Sequence, residues 1–228
     1  MVSSVNEPGE PNRPLLTIDT SSAQAGVALY DGALLSFRSW SADRTHTTTL
    51  LSEIHHLLEA ASLEVRDLAA IGIAVGPGAF TGLRVGFGVA KGFHLATGAP
   101  LIGISTLEAT AFPFAVANCS ILATIGAGRG RLVWAHYRAN VGQLVETSPP
   151  RNGVASELAA EITGRDPVIV AGELDQEQAS IIAATGASVP PPPLRVRHPA
   201  AFAAIAWRRL RAGTFDDATL LEPVYLSH

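Results

Sequence analysis

Apolar and polar positions alternate along this chain in an order that occurs twice. Residues 15–19, 26–30 and 34–40 read as strands. The pair Asp31-Gly32 is a hairpin turn signal, and the short polar link 20–25 predicts a second hairpin. Leu50, Leu51, Ile54, Leu57, Leu58 and Ala61 follow helical spacing and predict a helix over 45–61. Strand 69–75, helix 81–97, strand 101–104 and helix 106–116 follow. The order then restarts, with strands at 120–125, 132–137 and 143–146, helix 156–162, strand 168–171, helix 173–184 and a short strand near Ser188. The run Pro190–Pro193 breaks the chain. Pro199 in a first turn and Gly213 as a stop frame a last helix, and 222–226 is extended.

Hairpins followed by crossover helices give mixed sheets flanked by helices. Two such units predict an α/β, duplicated actin-like (ASKHA, RNase H-like) fold. The expected division is a disordered tail 1–14, an N-terminal lobe 15–105 and a C-terminal lobe 106–228.

Composition narrows the functions. The net charge of −4 gives no overall electrostatic footprint for nucleic acid. Arg208, Arg209 and Arg211 cluster locally, read as a solvated helix face. One cysteine, Cys119, excludes an intrachain disulfide and reads as a core residue. Residues 1–14 lack the apolar segment of a signal peptide, and no apolar run reaches membrane-spanning length, so a cytoplasmic protein without a membrane partner is expected.

The segment GPGAFTGLRVGFGVAKG, residues 76–92, follows a buried-type strand and opens a helix carrying Gly82, Gly86, Gly88 and Gly92. Glycine in a helix interior costs about 1 kcal/mol relative to alanine, so four cost roughly 4 kcal/mol. Close approach of a backbone or a ligand would offset that. The segment is not a P-loop, because the terminal Gly-Lys-Ser/Thr is absent. Its helix N-terminus could hold an anion, with Thr81 as N-cap, but packing against a partner is the favoured reading. Asp19, Thr20, Ser21 and Ser22 end the first strand, where actin-like ATPases place an acid and hydroxyls near nucleotide phosphates and metal. They are the candidate nucleotide-binding residues, against a simple Asx- or Ser-stabilised turn. His55 and His56 are adjacent and cannot chelate as an i, i+4 pair, and no metal site is expected. There is no G-x-S-x-G nucleophile elbow.

DTSSAQAGVALYDG (19–32), RTHTTTLLSEIHHLL (44–58), GPGAFTGLRVGFGVAKG (76–92), PLIGISTLEA (100–109) and EPVYL (222–226) together resemble the TsaB (YeaZ) family. The resemblance implies an actin-like fold and a role in forming N6-threonylcarbamoyladenosine at position 37 of tRNA. It implies a scaffolding subunit with no catalytic residues, supporting its paralogue TsaD in a heterodimer that the ATPase TsaE joins. In TsaD a His-x-x-x-His helix holds part of a metal site. Thr106 and Thr110 stand at the similar positions here, and threonine is a poor ligand for such a metal. Where the family shows Ile-Asp-Ala-Arg, this chain has Ile125-Gly126-Ala127-Gly128, so the second-lobe acid that would face a nucleotide is missing.

The expected partner interface comprises Arg44, His46, Leu50, Leu51, Ile54, Thr81, Gly82, Arg84, Val85, Gly88, Val89 and Gly92, and serves for a homodimer when TsaD is absent. No cofactor of its own is expected, ATP or ADP being held weakly or at the partner interface. Contact with tRNA would be indirect, through the complex. The rival readings are an actin-like ATPase or small-molecule kinase, a glycoprotease-like metallopeptidase and an RNA-binding module.

Overall fold

The computed structural model describes residues 13–33, 36–42, 46–140, 143–162 and 168–225, without the side chains of 46–48. The first sheet holds β1 (Leu15–Asp19), β2 (Gln24–Tyr30), β3 (Ser36–Ser41), β4 (Ala70–Gly76) and β5 (Leu101–Ser105), in the order β3-β2-β1-β4-β5. Helices α1 (His46–Ala60) and α2 (Phe80–Thr97) make its crossovers. The short α3 (Thr106–Ala111) leads to the second sheet, with β6 (Ser120–Gly126), β7 (Arg131–Asn140), β8 (Gln143–Val154) and β9 (Val168–Gly172), in the order β8-β7-β6-β9. Helix α4 (Ala155–Ile162) joins β8 to β9, and α5 (Gln176–Ala183), α6 (Pro192–Arg195) and α7 (Pro199–Arg211) complete the chain.

The repeat lies in the pairing. β1 is antiparallel to β2 and parallel to β4, and β6 is antiparallel to β7 and parallel to β9. Superposing β1 on β6 therefore carries the first sheet's order onto the second. β1, LLTID, is buried at every position, as a central strand covered on both faces must be. Its period-two alternation divides two cores. Leu16 and Ile18 face Leu50, Ile54, Leu57 and Phe87 of α1 and α2. Leu15 joins Ile102, Ile104 and Ala109, and also Phe202, Ile205 and Ala206 of α7. In the second sheet Ile121, Ala123 and Ile125 pack with Leu107 and Ala111 of α3, while Leu122 and Trp134 pack with Leu158, Ile162 and Ile182. α3 is thus shared, with Ala109 in one core and Leu107 and Ala111 in another.

The structure departs from the sequence expectations at four places. Helix α7, expected in the C-terminal lobe, returns to cover the first sheet, because its apolar stripe meets the uncovered face of β1, β2 and β5. The helix expected over 106–116 stops at Ala111 and continues as the 3-10 segment Phe112–Ala117, since Pro113 has no N–H for the α ladder. β8 runs on to Val154 through Pro149 and Pro150, which an edge strand tolerates, with register shifts against β7. α5 begins at Gln176, where Asp175 accepts from the Gln178 N–H and the Gln178 side chain accepts from Asp175, a capping box.

Candidate functional site

The glycine segment leaves β4 at Gly76, whose φ of 107° suits glycine alone. The backbone then turns beside the β1–β2 link, and the Ala79 N–H donates to the Ser21 carbonyl at 2.6 Å. Ala79, rather than Thr81, occupies the N-cap position, without a side-chain cap. The first half of α2 lies directly on Thr20. A Cβ on Gly82 would run into the Thr20 carbonyl oxygen, and one on Gly86 would sit 2.5 Å from Thr20 Oγ1 and 3.0 Å from Ile73. The Thr20 hydroxyl donates to the Gly82 carbonyl at 2.7 Å, fixing that approach. Further along, a Cβ on Gly88 or Gly92 would meet nothing within 4 Å, and both residues are exposed.

The expected interface residues separate accordingly. Arg44 lies outside the described residues, and His46 opens α1. Leu50 and Ile54 are removed from the docking face, being 0% and 2% exposed in the lobe's own core, and Gly82 is spent on Thr20. Val85 and Val89 are half-buried against that core. Leu51, at 49%, and Thr81, Arg84, Gly88 and Gly92 face outward. Leu95, 83% exposed, extends the row one turn past Gly92 and was not foreseen. At the other end Arg84 lies 3.9 Å over the Phe80 ring, and Phe80 stacks on Tyr225 with centroids 4.9 Å apart.

The candidate nucleotide residues are engaged within the chain. Asp19 is buried, and its Oδ1 accepts from the Ser21 N–H at 2.9 Å and the Ser21 hydroxyl at 2.5 Å. Its Oδ2 accepts from Arg197 Nε at 3.1 Å. Arg197 also donates to Glu173 at 2.7 Å and to the Ser21 hydroxyl at 3.0 Å. Burial alone would draw the Arg197 pKa down, but Asp19 and Glu173 outweigh it and hold the guanidinium above its usual value. Ser22 is half-buried, and its hydroxyl bonds locally with Gln24.

Glu173 changes the view of the second lobe. Gly126 replaces the expected acid, yet its N–H donates to Glu173 Oε2 at 2.9 Å, so a carboxylate does stand at the end of β6. The lobes enclose a cleft of about 720 Å³ between Ser21–Ala23 and Pro77–Phe80 on one side and Ile125–Gly128 on the other. Thr106 and Thr110 are buried. Thr106 donates to the Pro77 carbonyl at 2.6 Å and Thr110 to the Thr106 carbonyl at 2.7 Å, so both hydroxyls serve the fold. Among the described residues, no three His, Cys, Asp or Glu side chains gather as metal ligands. Two of the late-helix arginines are not merely solvated, since Arg208 and Arg209 both pair with Glu108.

The model of the family described as "TsaD: tRNA N6-adenosine threonylcarbamoyltransferase" matches residues 40–166, more than half of the chain. The tRNA threonylcarbamoyladenosine biosynthesis protein TsaB of Escherichia coli K12 is 33% identical over 126 residues, 54% of each chain. The chain belongs to the TsaB (YeaZ) branch of the TsaD family. TsaB of Bacillus subtilis is 27% identical over 161 residues, covering 69% of this chain and 70% of its own. YeaZ from Pseudomonas aeruginosa superposes with a TM-score of 0.78 at 23% identity, over 93% of this chain and 99% of that one, and shares the fold. The matched stretch spans about half the length of the Escherichia coli TsaB. No described helix is long and apolar enough to cross a membrane.

Neither Arg197 nor Glu173 was found from the sequence. Each carries a faint local signal: Glu173 directly follows a strand ending in glycine, and Arg197 directly precedes the His-Pro entry to α7. Their partner, Asp19, lies more than 150 residues away, and only the fold brings the three together.

Proposed function

We propose that this chain is a non-catalytic subunit in tRNA N6-threonylcarbamoyladenosine formation, which docks on a TsaD-type catalytic paralogue through the outward face of α2 and the adjoining part of α1. The observation that carries this reading is the open row of Gly88 and Gly92, flanked by Arg84 and Leu95. Glycine there costs helix stability and gains no contact inside the chain, whereas a helix packed against this face could approach closely. Arg84, held over Phe80, would add a directional charged contact. The buried, internally bonded Thr106 and Thr110 favour support over catalysis. TsaE would join the assembled pair, tRNA would be contacted through the complex, and any ATP or ADP would sit at the joint surface.

The test is reconstitution. The TsaD paralogue of the same organism, TsaE, threonylcarbamoyl-adenylate and tRNA are combined with and without this chain. Modified adenosine should form only when it is present, and the chain with substrates alone should form none. Transfer by the chain alone, or full transfer without it, contradicts the proposal.

A further inference from the structure

Two acids from different lobes share one buried guanidinium. Asp19 ends β1, Glu173 follows β9, and Arg197 reaches both from the segment that leads into α7. The Arg197 side chain is 4% exposed and that of Asp19 7%. The other carboxylate oxygens are engaged too, Asp19 Oδ1 by Ser21 and Glu173 Oε2 by Gly126. One planar fork therefore connects the ends of β1, β6 and β9. A lysine ammonium could not reproduce that spread of donors. Arg197 also lies where the chain crosses between lobes, because α7, two residues on, packs on the first sheet.

We propose that Arg197 is a resident cation between the lobes, fixing the cleft at one opening without a bound nucleotide or divalent metal ion. Here the cation is covalently part of the chain, and it pairs with both strand-end acids at once. The cleft is then a rigid joint, and α2 is presented to its surroundings at a constant angle to the second lobe. This inference does not rest on the identity of any docking partner.

Hydrogen exchange on the full chain tests it. In Arg197→Met, amides of residues 20–24 and 172–175 should exchange at least threefold faster, both together, while the wild type should be unaffected by Mg²⁺–ATP. A change below threefold at either segment of the folded variant overturns the proposal, as does protection of both segments by Mg²⁺–ATP in the wild type. Should Arg197→Met fail to fold, Glu173→Gln releases only the partly exposed second-lobe arm and leaves Arg197 paired with Asp19. Exchange at 172–175 should then rise at least threefold, and a smaller change overturns the proposal.

Discussion

In the first turns of α2, Gly82 and Gly86 lie against Thr20 and Ile73. In the following turns, Gly88 and Gly92 have open space where a side chain would be. The same residue type meets two different demands on one helix. The buried pair lets the helix descend onto the β1–β2 link, so their cost is offset inside the molecule by contact and by the Thr20–Gly82 hydrogen bond. The exposed pair has no such offset within the chain. A glycine whose cost is unmatched at home points to a requirement outside it, and the contrast between these pairs separates folding from docking.

Substitutions can break that contrast. Gly82→Ala should be the most damaging, because its methyl group meets backbone rather than a movable side chain; about 3 kcal/mol or more of stability should be lost, read from the urea midpoint. Gly86→Ala should cost less, about 1–2 kcal/mol, since its methyl group meets the side chains of Thr20 and Ile73 rather than backbone and the helix gains propensity. Thr106→Val should cost about 1–2 kcal/mol by leaving the Pro77 carbonyl without its hydroxyl donor, loosening the turn beneath the buried pair. Gly88→Ala and Gly92→Ala should each stabilise the monomer, by up to about 1 kcal/mol, in thermal or urea unfolding. A destabilised Gly88→Ala monomer would remove the distinction between the two faces.

Much of the architecture was legible because it is local. Short hairpin links and helical spacing fix neighbours in the chain, and the two-fold recurrence of strand and helix order shows directly in the strand pairing. The return of α7 was not legible, since its apolar stripe specifies a buried face but not which sheet buries it. The same ambiguity misplaced Leu50 and Ile54. The apolar stripe that predicts α1 is the stripe the first sheet covers, leaving Leu51 on the outer side. The site suffered most from long sequence separation. Asp19 stood out as a strand-end acid, but nothing near it in sequence indicates that an arginine from the last helix entry would neutralise it. A vacant acid position at Gly126 likewise conceals that Glu173 fills it from just past the end of the neighbouring strand.

The docking claim is tested most directly by the affinity of Gly88→Leu for the TsaD paralogue, measured by calorimetry beside the wild type. The leucine projects into space that is empty in the monomer, so the variant should unfold at or above the wild-type midpoint. Its binding should weaken by at least about 100-fold, roughly 2.7 kcal/mol, as the helices are forced apart. Wild-type affinity in a folded Gly88→Leu chain would contradict the assignment of this face.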